Sequence, residues 1–331
     1  MSTATREAVG AAPRRSTEGW HRPLLVLAAA MAVAAVLTFA GVLLDPRVLV
    51  GEPVWVKPFK FALSIGTFAI TWSWLRAVLT AGRRTADVIG WFLVLLLSVE
   101  YLGLVVQAFR GRRSHFNKQS AFDTVLGNVM GISAALIMVS SLVLAVLFLF
   151  ARSRDRAAVW AIRAGALLSV VGMGFGPLMG AETEVQRAAR LAGHGEGIFG
   201  GHSVGVPDGG PSMPLTGWST VGGDLRIPHL VGIHALQVIP LVLVLVDLLA
   251  RRWAALSPQA VRIGLVAVVS VSYAGLLATV AWQALRGQSL VHPDTATLTA
   301  LGAVAGFALI GSAAVVGVGA LRGKYRKPIA A

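Results

Sequence analysis

The residues whose types and spacing admit chemistry are few. His234 and His292 stand near the starts of two long apolar segments, and His115 stands just before a third. Neutral imidazole offers one nitrogen to iron, so two histidines on neighbouring helices can serve as axial ligands to a haem. The expected pair is His234 with His292, both facing one bundle interior, with His115 a further cofactor-binding candidate. Glu100 differs in kind, being a carboxylate inside an apolar segment with no cation one helical turn away. Such a group must be protonated or find a partner on another helix, and Lys57 and Lys60 are the expected partners. A proton relay or substrate contact is the functional reading of Glu100, and an interhelical ion pair is the structural one. Finally, Arg110, Arg112, Arg113 and His115 gather in one short stretch. With Lys57, Lys60 and Arg226 they make a rim suited to phosphate, carboxylate or haem propionates. Snorkelling to lipid phosphates is the alternative.

Other polar residues read more plainly. His229 lies five residues before His234, about 140° away around a helix, and is expected to face a loop. His194 and His202 occupy a glycine-rich stretch without metal-ligand spacing. Asp224 with Arg226 reads as a local pair, and Asp247 with Arg251 as an i,i+4 pair. Gly172, Gly176 and Gly180 recur every four residues, a spacing that lets another helix approach closely.

The elements that must position these residues follow from composition. The chain has 331 residues, 56% hydrophobic and only 13% charged, more apolar surface than a soluble core of this size can hide. The apolar residues come in blocks long enough to cross a bilayer, which takes about 20 residues as a helix. Eight spans are expected, near Pro23–Leu44, Pro58–Thr80, Val88–Ala108, Val125–Ala151, Ala158–Gly180, His229–Leu249, Val261–Ala284 and Leu298–Leu321. The first is too long for a signal-peptide core and reads as an uncleaved anchor. The fold class is therefore an all-α membrane protein whose main partner is the lipid bilayer.

The absence of cysteine excludes disulfides, thiolate metal sites, iron–sulfur clusters and covalently attached haem. The net charge of +14 would point to nucleic acid in a soluble protein. Here the cations fall in alternate connections instead: Arg6, Arg14, Arg15 and Arg22; Arg83 and Arg84; Arg152, Arg154 and Arg156; Arg251 and Arg252; and Arg322, Lys324, Arg326 and Lys327. The positive-inside rule makes these segments cytoplasmic and expects a cell-membrane protein with both termini inside. Residues 1–22 and 322–331 are then cytoplasmic tails. The longest external connection, residues 181–228, opens with a short helix at Glu182–Leu191 and has the aromatic content of an ordered lid.

An internal repeat is expected. Ser98-Val99-Glu100-Tyr101-Leu102-Gly103-Leu104, closing with Gln107-Ala108-Phe109-Arg110-Gly111, resembles Ser270-Val271-Ser272-Tyr273-Ala274-Gly275-Leu276, closing with Gln283-Ala284-Leu285-Arg286-Gly287. A histidine follows each, His115 and His292, and then another span. The implied organisation is two pseudo-symmetric four-helix bundles, residues 23–151 and 158–321, related by an axis along the membrane normal.

Eight spans, a duplicated four-helix unit and histidines at the external ends of even-numbered spans resemble the heme A synthase family. In that family each half is a four-helix bundle with histidines of its even helices directed at haem. The resemblance is architectural and covers most of the chain. His115, His234 and His292 match the placements at spans four, six and eight. Lys60 fills the place expected of a histidine in span two, and Lys57 that of the acidic residue before it. That departure removes the pattern of the oxidising half. The resemblance implies a haem b held mainly by the second unit, in membrane redox or haem handling. The rival expectation is transport or lipid handling of an anionic substrate through Glu100, Lys57, Lys60 and Arg110. A third is a non-catalytic subunit whose long loop docks a partner.

Overall fold

The computed structural model describes residue 17 and residues 19–79, 82–151 and 154–325. Arg6, Arg14, Arg15, Arg152, Arg326 and Lys327 lie outside these, as do the side chains of Arg322 and Lys324. The chain is an all-α membrane protein. Seven described helices are long and apolar enough to cross a bilayer, and a bent helix pair makes an eighth span.

Unit one comprises α1 (Arg22–Leu44), α2 (Val56–Val78), α3 (Arg83–Arg110) and α4 (Ala121–Leu149). Its helices begin where the local chemistry allows. The His21 ring accepts from the Leu24 N–H, with a proline in the first turn of α1, and Ser120 accepts from the Asp123 N–H to start α4. Gly82 and Gly111, both left-handed, bound α3. Unit two comprises α5 (Arg156–Met173), the short α6 (Phe175–Met179) and α7 (Glu184–Leu191), then α8 (Arg226–Ile233), α9 (Ala235–Ala250), α10 (Gln259–Leu285) and α11 (Thr295–Tyr325). Two short hairpin pairs complete the chain, β1 (Val48–Leu49) with β2 (Glu52–Pro53), and β3 (Ser203–Val204) with β4 (Gly223–Asp224).

The packing order is the same in both units. α1 lies on α2, α2 on α3 and α3 on α4; α5 lies on α8 and α9, these on α10, and α10 on α11. The units are not separate bodies, because α4 also packs on α5 and the unit-one core takes in Ile162, Ala166 and Leu236. Apolar faces such as Val33, Val36 and Leu37 point outward. Lipid is as apolar as those faces, so close fit and polar contacts must hold the helices together. Gly172 supplies such a fit: a Cβ there would overlap the backbone of Gly232 on α8. Gly176 and Gly180 have no comparable contact, so the four-residue glycine spacing matters at one position.

α8 and α9 meet at 46° with His234 at the break. A break within hydrocarbon frees carbonyls that must find donors. Here Ser169 Oγ donates to Ile233 O at 3.1 Å and Tyr273 Oη to Val231 O at 2.6 Å. Two hydroxyls of unit two, those of Ser169 and Tyr273, thus hold the broken span.

The segment between α6 and α8 is an ordered lid over one end of the bundle. Thr183 and Gln186 form a reciprocal capping box on α7, and Glu182 pairs with Arg190 at 2.9 Å. The lid bonds to the α3–α4 connection through Lys118 N–H to Gly197 O (2.7 Å) and Phe199 N–H to Phe116 O (2.8 Å). It reaches unit two through Ser289 Oγ to Ser219 O at 3.1 Å.

Candidate functional site at the lid end of unit one

Lys57 enters from the first turn of α2, Glu100 from the core face of α3, and His115 from the α3–α4 connection. The turn that delivers His115 is fixed by Gln107, whose amide donates to Arg113 O at 3.2 Å, and by Asn117, which donates to the same carbonyl at 3.1 Å. The three side chains form a chain: Lys57 Nζ lies 3.2 Å from His115 Nδ1, and His115 Nε2 lies 3.8 Å from Glu100 Oε2. A lysine ammonium only donates, so it fixes Nδ1 as the acceptor and puts the ring proton on Nε2, facing the carboxylate. Burial, and then the positive charges of Lys57 and His202, hold the His115 imidazole well below the usual histidine range. It is a neutral link between a cation and an acid.

Glu100 is 5% exposed, and its second oxygen, Oε1, is buried without a hydrogen-bond partner. The expected direct pairing with Lys57 or Lys60 is therefore corrected: Glu100 reaches Lys57 through His115. Lys60 instead binds Glu52 Oε2 at 2.9 Å and the lid carbonyl of Thr216 at 2.8 Å. Arg226 makes the expected local pair with Asp224, gripping both carboxylate oxygens, and adds Glu52 Oε1 at 3.6 Å. Glu52 thus bridges Lys60 and Arg226, pinning the start of α2 to the start of α8. Gly217 permits this, since a Cβ there would overlap the Glu52 carboxylate. Lys57 lies within electrostatic reach of Arg226, Lys60, Glu52 and Asp208. No carboxylate of the described residues lies within ion-pair distance of its ammonium.

A second strap sits in the lid. His202 Nδ1 lies 3.1 Å from Asp208 Oδ2, and the backbone N–H groups of His202 and Ser203 also donate to that carboxylate. Burial pushes the Asp208 carboxyl up, but these bonds outweigh it and hold it far below the ordinary carboxylate range. Burial lowers the His202 imidazole, against the opposing effect of Asp208. Phe116 packs edge-on against His202 and His115, at ring distances of 5.3 and 6.0 Å. The lid strap and the relay therefore share one aromatic wall.

Several expected site residues fall elsewhere. Arg110 does not join Lys57 and Lys60 through any described contact; it binds Asp123 and Gln107 and stacks on Phe122. The Arg112 side chain reaches Gln119, at 3.4 Å. His292 is exposed in the turn before α11, where the sequence led us to expect an inward-facing ligand. His234 is partly buried at the α8–α9 break. His229 faces α5, not the loop, with Nδ1 2.9 Å from Gly172 O. Asp247 pairs with Arg262 of α10 at 2.6 Å instead of Arg251, and Arg262 also holds Asp155 at 2.7 Å. Among the described residues no three histidine or carboxylate side chains form a metal-binding group.

Glu52, His202 and Asp208 are the members that sequence reasoning missed. Glu52 had a usable signal, an acid in the short connection eight residues before Lys60. His202 and Asp208 offer only a His-x5-Asp spacing inside a glycine-rich loop, which specifies nothing until the loop folds. Comparison with family models, curated proteins and solved structures finds no match to this chain.

Proposed function

We propose that this multi-pass membrane protein binds an anionic group beneath its lid, at a site built from Lys57, Lys60 and Arg226, and that it serves in transport or lipid handling. The positive-inside pattern puts the lid on the extracytoplasmic side of a cell membrane, with both termini in the cytoplasm. One observation carries the reading: Lys57 is a part-buried cation whose only described polar partner is a neutral imidazole. Lys60 and Arg226 nearby are already paired, Lys60 with Glu52 and Arg226 with Asp224 and more distantly Glu52, so Lys57 is the cation of the three without a carboxylate. Charges in such surroundings are normally paired, and an incoming phosphate or carboxylate would complete the set.

The test is thermal stability of the purified full-length protein during titration with inorganic pyrophosphate, and separately with vesicles containing phosphatidylglycerol. Saturable stabilisation, of about 2.7 kcal/mol at a hundredfold excess over Kd, is expected for wild type and should vanish in Lys57→Gln. A response to vesicles alone assigns the site to a lipid headgroup. No response to either overturns the reading.

The haem b reading through His234 and His292, with His115 in support, rests on His234 at the helix break, given the exposure of His292. Its check is an absorption spectrum of protein expressed with ample haem, oxidised and then reduced with dithionite. A stoichiometric six-coordinate b-type spectrum lost in His234→Ala would install it in place of the anion site.

A further inference from the structure

Buried polar atoms without a partner are expensive in hydrocarbon, at several kcal/mol each. Hydroxyls in spans usually avoid the cost by donating back one turn, and Thr38, Ser98, Ser270 and Thr279 all do so at 2.7 Å. Five buried atoms within the described spans do not: Trp72 Nε1, Glu100 Oε1, Tyr101 Oη, Ser141 Oγ and Ser272 Oγ. Four of the five belong to unit one, and they are spread along its length. Glu100 lies near the lid, reached through His115 from the first turn of α2, whereas at about 1.5 Å rise per residue Trp72 lies ~24 Å from the lid end of α2 and Ser141 ~30 Å from that of α4.

The far end of this series is also a polar cluster. His21 is 5% exposed, its Nε2 lies 3.1 Å from Asp87 O, and its own carbonyl accepts from Ser73 Oγ at 2.9 Å. Arg76 binds both oxygens of Asp87, at 2.7 and 2.8 Å, and donates to Gly19 O. Between this cluster and Trp72 is a void of about 10 Å³, lined also by Leu24, Leu144 and Phe148. That is close to the room one water needs.

We propose that unit one carries a proton pathway along its core, from the Lys57–His115–Glu100 chain under the lid, past Tyr101, Trp72 and Ser141, to the His21–Asp87–Arg76 cluster at the opposite end. Carboxylate and histidine chains inside spans are the usual parts of such relays. The unpartnered atoms are sites for water, which accepts from the Trp72 N–H and exchanges protons with the Tyr101 and Ser141 hydroxyls. A proton taken from solvent at one end is released at the other, and only O–H and N–H bonds form and break. The groups facing Glu100 are His115 and, beyond it, Lys57. Those facing His21 are Asp87 and Arg76, with Arg83 near Asp87. The pathway shares Lys57 with the anion site but needs no ligand.

The experiment reconstitutes the full-length protein in vesicles enclosing a pH-sensitive dye and drives protons with a valinomycin-set potassium diffusion potential. Wild type should acidify the lumen faster than protein-free vesicles. Glu100→Gln should slow it at least about tenfold, equivalent to about 1.4 kcal/mol on the limiting barrier, and Trp72→Phe should slow it without unfolding the protein. Ser272→Ala, which removes the unpartnered hydroxyl of unit two, should leave the rate unchanged. A wild-type rate equal to empty vesicles overturns the pathway, as do full rates in folded Glu100→Gln and Trp72→Phe. If Glu100→Gln does not fold, Trp72→Phe and His115→Gln decide alone. The pyrophosphate titration involves no gradient, so either proposal can fail without the other.

Discussion

The two units place the same fittings at the same points and fill them with opposite chemistry. Gln107 donates to the carbonyl six residues on, and so does Gln283, to Ser289 O at 2.8 Å. Gly111 and Gly287 both turn left-handed after the third helix of their unit. Gly103 admits Met130 of α4, and Gly275 admits Val304 of α11. At the end opposite the lid, Arg76 of α2 meets Asp87 of α3, while Asp247 of α9 meets Arg262 of α10, the same bridge with its charges exchanged. Yet Glu100 is matched by Ser272, and among the described residues of unit two nothing corresponds to the Lys57–His115 chain. The scaffold needs no carboxylate at this place to stand, since unit two has Ser272 there and its interior histidines, His229 and His234, lie elsewhere. The buried carboxylate of unit one therefore calls for a reason other than stability.

The largest expected effect tests whether matching fittings carry matching loads. Arg110 and Arg286 occupy equivalent places, each stacked on an aromatic ring and paired with an aspartate at or near the start of the next helix. Asp123, however, is about 1% exposed, whereas Asp294 is 43% exposed. Removing one partner of a buried pair costs about 3–5 kcal/mol, and exposed pairs contribute about 0–1. Arg110→Ala should therefore lower the thermal midpoint sharply and Arg286→Ala barely. Equal effects would show that the lid end of unit one is far wetter than its burial implies.

The next effect contrasts how the first two helices of each unit meet. Gly172 faces the backbone of Gly232, which cannot move aside, while a Cβ on Gly66 would lie 3.4 Å from the Met31 side chain, an ordinary contact. Gly172→Ala should cost about 1–3 kcal/mol and reduce the yield of monodisperse protein, and Gly66→Ala should be nearly neutral. Thermal denaturation of both variants in one detergent checks the difference.

These contrasts mark how far the sequence could be read. Long apolar blocks place all eight spans to within a few residues, because hydrocarbon imposes a length and a composition that few other environments demand. The repeated Ser-x-x-Tyr-x-Gly and Gln-Ala-x-Arg-Gly motifs were legible too; the serine and glutamine hydrogen bonds recur in the structure, while the tyrosine bond of unit two has no counterpart in unit one. Glu100, Lys57 and His115 could be singled out by cost alone. Their order could not, because the link depends on which loop residue reaches between two helices. The break at His234 was hidden for a similar reason: its carbonyls are satisfied by Ser169 and Tyr273, from helices distant in sequence. The lid's contacts were the least visible, since glycine-rich chain carries little pattern and its anchors come from elements far away along the chain.

The smallest effect sharpens the comparison by pH, because the lid strap lies over unit one. His202 is folded with its imidazole below the ordinary value, so the unfolded chain binds the proton more readily. Stability is then full above the unfolded pKa of about 6.5 and declines as pH falls from there towards the lowered folded value. His115 titrates in the same direction. Asp208 and Asp294 are both held low in the fold, so their contributions are present above about pH 4 and lost only as pH falls below it. The thermal midpoint should consequently fall between pH 7 and pH 5, before any carboxylate bond is lost. His202→Gln should flatten part of that slope, while Asp294→Asn in unit two should leave it intact. A slope unchanged by His202→Gln would place the sensitive group at another imidazole held low by burial, such as His115 or His21, and make the strap a passive fastening.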